Sequence, residues 1–196
     1  MTSRPAPSQR RETVRVWDPF VRTFHWSLVA CVLIEYFVVD DGKTLHQWLG
    51  HVATALVVAR IVWGFVGTRH ARFADFLPTP RRVRTHVRAM LSGQPTSHPG
   101  HNPLGAIVMF GLIALVLLAG LTGFLQTTDA FWGEEWLQET HRLITELLIG
   151  TATLHALAAI VMSRIERTNL VAAMITGVKV RPGGRSSVQG REHVQP

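Results

Sequence analysis

The segment HRLITELLIGTATLHALAAIVMS, from His141 to Ser163, organises the interpretation of the whole chain. It is long and apolar, and it carries two histidines, His141 and His155, separated by fourteen positions. On an α-helix this spacing corresponds to about 21 Å of rise and nearly four turns, so both imidazoles are expected on one face. Polar groups in a hydrocarbon environment are costly unless a partner satisfies them. The sequence therefore predicts that other segments bring partners to this face.

Four segments have the length and composition of membrane spans. The third, 104–126, has 23 residues and no charge, and about 20 apolar residues suffice to cross a bilayer. In lipid, only helices and closed barrels satisfy their backbone groups, and these segments are too long and too continuously apolar for barrel strands. We therefore predict an all-α fold, an integral membrane four-helix bundle over residues 20–165, with spans at about 20–39, 45–67, 104–126 and 141–163.

The segments outside the spans are polar. Residues 1–19 have too little apolar content to fold alone and are predicted to be a disordered tail. Residues 68–102 are basic and contain prolines, and residues 127–140 are acidic, contain tryptophan and suggest a short interfacial helix. Residues 166–196 are predicted to form a C-terminal tail.

The distribution of charge predicts the orientation. The net charge is +7, and all but three of the 20 Lys and Arg residues lie before Phe24, between residues 68 and 103, or after Ser163. The two opposite loops are acidic. Basic loops stay in the cytoplasm, so both termini are expected there. Because the arginines have this topological role, we expect no nucleic-acid binding. The single cysteine, Cys31, excludes an internal disulfide and a thiolate metal site.

Histidines near the ends of the spans fall into two pairs of matching depth. Because consecutive spans run in opposite directions, His25 and His155 are expected near the cytoplasmic side, and His46 and His141 near the outer side. Two imidazoles that meet from different helices are the ligand set of a six-coordinate haem. The pattern therefore predicts two haems stacked across the membrane, with their irons about 20 Å apart by the same helical rise.

Other polar residues leave alternatives open. His51 lies five residues after His46 and so faces away from it, which favours a packing role or a polar contact over a role as the outer ligand. Arg60 lies fourteen residues after His46 and can either bind a haem propionate or extend to the membrane interface. Glu35 and Glu146 are candidate proton or quinone contacts, or simply interfacial residues. The remaining histidines lie in polar segments and are expected to be exposed: His70, His86, His98, His101 and His193.

Several motifs resemble the bacterial cytochrome b561 family, which includes the cytochrome b subunits of nickel-iron hydrogenases. The resemblance covers about residues 14–181. It rests on VWDPFVRTFHW (16–26), LHQWLG (45–50), ARIVWGFVG (59–67), GHNPLGA (100–106), TGF (122–124), the two histidines of the fourth span, and ERTNLVAAMITGVK (166–179).

The resemblance implies a four-helix protein of the bacterial inner membrane with two b-type haems. The ligands carried over by motif are His25, His46, His141 and His155, and Arg60 matches the family's arginine in the second span. The family motif places the ligand four residues before the glycine of LHQWLG, which favours His46 over His51. Members pass electrons between the quinone pool and a redox partner, such as a c-type cytochrome or a dehydrogenase or hydrogenase subunit.

Three functions are therefore candidates for this sequence. The preferred one is a di-haem cytochrome that transfers electrons between quinone and a partner protein. The alternative is a quinone-linked oxidoreductase that acts on a small periplasmic species such as superoxide, although acidic outer loops would repel a small anion and attract a basic cytochrome. A metal-ion transporter would require carboxylates among the histidines, and the spans contain only Glu35 and Glu146.

Overall fold

The computed structural model describes residues 12–39, 43–68, 71–93, 102–166 and 168–181. Four long helices dominate these residues, and three shorter helices and two short strands accompany them. In chain order the elements are β1 (Glu12–Arg15), α1 (Pro19–Phe37), α2 (Thr44–Val66), α3 (Phe73–Phe76), α4 (Pro80–Leu91), α5 (Pro103–Leu125), α6 (Glu135–Ile165), α7 (Leu170–Thr176) and β2 (Val178–Arg181).

The helices α1, α2, α5 and α6 are each long and apolar enough to cross a membrane. Their outer faces expose large apolar side chains, including Leu118, Leu121, Leu154 and Val161. In water such surfaces would be costly, and a bilayer covers them. The predicted all-α membrane bundle is confirmed, while the cytoplasmic placement of both termini stays a prediction.

Three of the four long helices begin one residue before the predicted spans. The fourth, α6, begins at Glu135, so the predicted interfacial helix is not a separate element and its last residues form the first turns of α6. Gly133 precedes this start with a φ of 81°, a left-handed conformation that glycine adopts readily. Because no glycine or proline follows before Gly150, the helix continues without interruption into the membrane-spanning segment.

A capping residue followed by proline begins α1 and α5. Asp18 accepts a hydrogen bond from the Val21 N–H at 2.8 Å, and Asn102 accepts one from the Gly105 N–H at 2.7 Å. Such side chains satisfy N–H groups that a helix start leaves unbonded, and proline fits the first helical position because its φ is preset. These contacts explain the Asp-Pro pair of VWDPFVRTFHW and the Asn-Pro pair of GHNPLGA.

The long helices pack in the order α1, α2, α5, α6. Val57 is fully buried at the centre, with Ala53, Val116 and Leu148 around it. The contact of α2 with α5 is close at Gly120, where an added Cβ would lie 2.1 Å from the Thr54 Oγ1 atom. Small residues that let helices approach are typical of membrane bundles, where packing drives association.

Parts of the two terminal segments, which the sequence predicted as tails, pair with each other. Strands β1 and β2 are antiparallel, with Arg15 opposite Val178. The N–H groups of Val16 and Trp17 donate to the Gly177 carbonyl at 2.9 and 3.2 Å. Residues 12–19 and 168–181 are therefore structured, because each supplies hydrogen-bonding partners that neither has alone. Residues 1–11 and 182–196 lie outside the described residues.

The basic segment after α2 contains the helix α4, which the sequence analysis did not predict. His86 lies on α4 and is only 2% exposed, so the expectation that it is solvent-exposed is wrong. Arg84 and Arg88 lie two positions before and after His86, on the opposite side of the helix, and are exposed. The predicted exposure of His70, His98, His101 and His193 concerns positions outside the described residues.

Candidate cofactor site

The imidazoles of His46 and His141 face each other across the bundle. His46 lies in the first turn of α2 and His141 in the second turn of α6. Their ring centroids are 6.2 Å apart and the rings are nearly perpendicular, with an interplanar angle of 84°. Metal–imidazole bonds are about 2.0–2.1 Å long, so this spacing is compatible with one metal atom between the two rings. The predicted outer pair is thus brought together.

Side chains from the two other long helices orient these rings. The Thr122 hydroxyl on α5 shares a hydrogen bond with the His141 Nδ1 atom at 2.9 Å, and the Glu35 carboxylate on α1 contacts the His46 Nδ1 atom. In metal sites, partners of this kind set the tautomer and the direction of the ligating nitrogen. Each ring is therefore held through Nδ1, and Nε2 is the atom by which it would bind a metal.

Gly123 lies against the ring of His141. A Cβ added at Gly123 would lie 3.3 Å from the His141 Cε1 atom, which is closer than an ordinary van der Waals contact. The TGF sequence therefore serves the histidine twice, since Thr122 bonds its ring and Gly123 makes room for it.

His25 on α1 and His155 on α6 are the members of the predicted second pair, and both side chains are half-buried. The Nδ1 atom of His25 is buried without a hydrogen-bond partner among the described residues. A buried imidazole nitrogen without a partner is costly unless a ligand satisfies it. This atom is evidence that the site accommodates a further group.

The members of each predicted histidine pair come from helices that are not neighbours in the packing order. Helix α6 packs on α5, and in the part of the chain that the structure describes it has no comparable backbone contact with α1 or α2. His25 and His46 come from α1 and α2, and their predicted partners come from α6. The predicted pairs therefore join helices with little backbone contact, and a bundle can hold a cofactor between side chains that face each other in this way.

His51 and Glu146 lie away from these pairs. His51 is exposed, and its Nδ1 atom contacts the Gln47 carbonyl of its own helix. Glu146 is exposed and forms a salt bridge with Arg142 at 2.8 Å. Only Glu35, of the two membrane glutamates, contacts a histidine of the site.

Arg60 is almost completely buried, at 2% exposure, near the end of α2. Its Nη2 atom donates to the Ala71 carbonyl at 3.1 Å, and its guanidinium lies 4.9 Å from the centroid of the Phe73 ring. The Nη1 atom is buried without a hydrogen-bond partner among the described residues. The side chain thus points towards the segment after α2 and retains one donor for a carboxylate such as a propionate.

Asp18 is a structural residue that the sequence analysis did not single out, although it belongs to the VWDPF motif. Its carboxylate accepts hydrogen bonds from Trp63 Nε1 at 3.0 Å and from the Thr68 hydroxyl at 2.6 Å, in addition to the N–H of Val21. Burial raises the pKa of this carboxyl, but these hydrogen bonds and the nearby charge of Arg60 outweigh burial and lower the pKa below 3.8. Asp18 therefore ties the start of α1 to the end of α2.

These observations define a class of protein, a four-helix membrane protein whose paired histidines suit the binding of haem. The chain belongs to the prokaryotic cytochrome b561 family, whose model matches residues 16–177. The resemblance seen in the sequence is thereby confirmed. The protein is a b-type membrane cytochrome, so its cofactor is haem b and its function is electron transfer.

Relatives extend over most of the chain at low identity. The chain is 25% identical to the "Probable Ni/Fe-hydrogenase B-type cytochrome subunit" of Bradyrhizobium diazoefficiens, over 85% of this chain and 86% of that protein. It is 26% identical to the protein of the same name from Rhodobacter capsulatus, over 86% and 82%. The "Probable Ni/Fe-hydrogenase 1 B-type cytochrome subunit" of Escherichia coli K12 is 29% identical over 56% and 58%. No solved structure shows significant similarity to the chain.

Proposed function

We propose that this protein is a di-haem cytochrome of the bacterial inner membrane that transfers electrons between the quinone pool and a redox partner protein. The observation that carries the proposal is the placement of His46 and His141, which approach from α2 and α6 with a centroid separation of 6.2 Å. His155 lies fourteen residues after His141 on α6, and His25 on α1 is its proposed partner.

The residues divide into ligands and supporting groups. His46 and His141 would hold one haem, and His25 and His155 would hold the other. Haem supplies a one-electron couple between ferric and ferrous iron. Glu35 and Thr122 orient the first pair of rings through Nδ1. The buried Nη1 atom of Arg60 would donate to a propionate.

The proposed partner is a hydrogenase, because the relatives named above are hydrogenase cytochrome subunits. The surface between α5 and α6 supports a protein partner. Asp129, Glu134, Glu135 and Glu139 are exposed there, against one arginine, Arg142. An acidic surface attracts a basic protein and repels a small anion such as superoxide, so a protein partner is favoured over the stand-alone oxidoreductase.

Haem content and redox titration test the proposal. The purified full-length protein is expected to contain two b-type haems per chain, measured by the pyridine haemochrome spectrum against protein concentration. An equilibrium redox titration is expected to resolve two midpoint potentials, and a short-chain quinol should reduce both haems. A haem-to-chain ratio of one would overturn the di-haem proposal, and failure of several quinols to reduce the haems would overturn the link to quinone.

A further inference from the structure

An open groove lies between α4 and the first turns of α5, away from the histidine pairs. Its volume is about 640 Å³. The apolar part of its lining includes Val83, Val87 and Ile107, and the polar part consists of Arg84 and Arg88. Among the described residues, no carboxylate lines the groove. The groove therefore combines an apolar wall with positive charge alone.

The two arginines are available to a ligand. Both are exposed, and neither guanidinium forms a hydrogen bond or an ion pair with another described residue. Their neighbour Arg82 differs, since its Nη1 atom donates to the carbonyls of Asp75 and Leu77 at 3.5 and 3.4 Å. A guanidinium binds phosphate through two parallel N–H groups, so a pair of unengaged arginines one turn apart suits a phosphate group.

The position of the groove connects this charge with the membrane. Ile107 lies in the second turn of the membrane-spanning helix α5 and is 47% exposed, and Leu104 in the first turn is 36% exposed. The arginines lie on α4, which is amphipathic and packs beside the start of α5. Charge at the headgroup level next to an apolar helix surface is the arrangement that binds an acidic lipid.

We propose that this groove is a binding site for one anionic phospholipid. Arg84 and Arg88 bind the phosphate, and an acyl chain lies along Val83, Val87 and Ile107. The occupant is a lipid and not a free phosphate because the groove continues onto the lipid-facing surface of α5. The site has no part in ligating haem, so it is independent of the proposed electron-transfer function.

Native mass spectrometry of the full-length protein in neutral detergent tests this site. Phosphatidylglycerol is expected to bind with a stoichiometry of one at low concentration, and more tightly than phosphatidylcholine. R84Q and R88Q are each expected to weaken phosphatidylglycerol binding about fivefold, the effect of one basic residue near an anionic surface. The matched control is R81Q, which removes an exposed charge from the same helix but does not line the groove.

Three results would overturn the proposal. Equal weakening by R81Q would show general attraction to a charged helix. Equal binding of phosphatidylcholine would show that the anionic headgroup is not recognised. Equally tight binding of glycerol phosphate would show an anion site without an acyl-chain contact. Haem content and helical circular dichroism report whether the variants fold. If R84Q does not fold, R84K and R88K retain the charge without the bidentate geometry and are still expected to weaken binding.

Discussion

The rings of His46 and His141 lie edge to face, 6.2 Å between centroids, although α3, α4 and α5 separate them along the chain. Thr122 and Glu35 hold these rings from two further helices. All four long helices thus contribute to one polar cluster. A cluster of this kind limits how the helices can be arranged, because a shifted helix would leave polar groups without partners.

Replacing His46 or His51 by alanine distinguishes the two candidates for the outer ligand. H46A is expected to lose one of two haems and to retain the other, since only His46 faces His141. H51A is the matched control and is expected to retain both, because His51 is exposed and contacts its own helix. The measurement is haem per chain in the purified variants. Loss of a haem in H51A alone would reverse the assignment.

Replacing Glu35 by glutamine tests whether its carboxylate tunes the outer site. If His46 ligates haem as proposed, a negative charge beside it would favour ferric over ferrous iron, so E35Q is expected to raise one midpoint potential by on the order of 50 mV, close to a tenfold change in a one-electron equilibrium. The other potential should stay unchanged. E146Q serves as the control, since Glu146 pairs with Arg142 on an exposed surface. An unchanged potential in E35Q would show that Glu35 has no effect on the ligand.

The salt bridge between Lys179 and Glu166 stabilises the paired terminal segments. Its length is 2.7 Å and each side chain is 4% exposed. Removing one partner of a buried pair leaves an uncompensated charge, which costs about 3–5 kcal/mol. K179M is therefore expected to open the β1–β2 pairing, measured as faster hydrogen exchange of the strand N–H groups. In the double variant E166Q/K179M, the strand N–H groups should exchange more slowly than in K179M. Equal exchange rates in the single and double variants would show that the unpaired charge of Glu166 does not destabilise the segment.

The pH dependence of the contact between α1 and α2 follows from Asp18. The folded structure lowers the pKa of this carboxyl below 3.8. Its stabilising contribution is therefore complete above the ordinary pKa and is lost as the pH falls through the lower, folded-state pKa. Hydrogen exchange of the Val21 N–H, which donates to Asp18, is expected to accelerate below about pH 4 beyond the intrinsic pH effect. In D18N this acid step should disappear, and an identical profile in D18N would assign the step to another group.

Gly120 tests the close approach of α2 and α5. A Cβ at this position would lie 2.1 Å from the Thr54 Oγ1 atom and 3.2 Å from the Thr54 Cβ. Overpacking of this kind costs about 1–3 kcal/mol, so G120A is expected to lower the melting temperature in detergent. G111A on the same helix is the control, because no atom lies within 4 Å of an added Cβ there. Equal melting temperatures for the two variants would show that the helices separate at little cost.

Much of the fold could be predicted from the sequence because its signals are local. The four spans follow from length and hydropathy, and three of the helices begin within one residue of the predicted position. In the structure, Asp18-Pro19 and Asn102-Pro103 stand at two of these starts and Lys43 directly precedes α2. The fourteen-residue spacing of His141 and His155 follows from helical geometry alone. These features depend only on residues close together along the chain.

Tertiary structure decided the rest. The β1–β2 pairing joins segments that are distant along the chain. The burial of His86, the contact of Glu35 with His46 and the direction of Arg60 depend on how separate elements pack, which spacing along one helix does not determine. A terminal segment that is too polar to fold alone becomes ordered when a remote strand supplies its hydrogen bonds, and a buried charge persists when a remote group compensates it. Spacing along one helix therefore predicted where the histidines lie, while packing between helices determined which groups meet them.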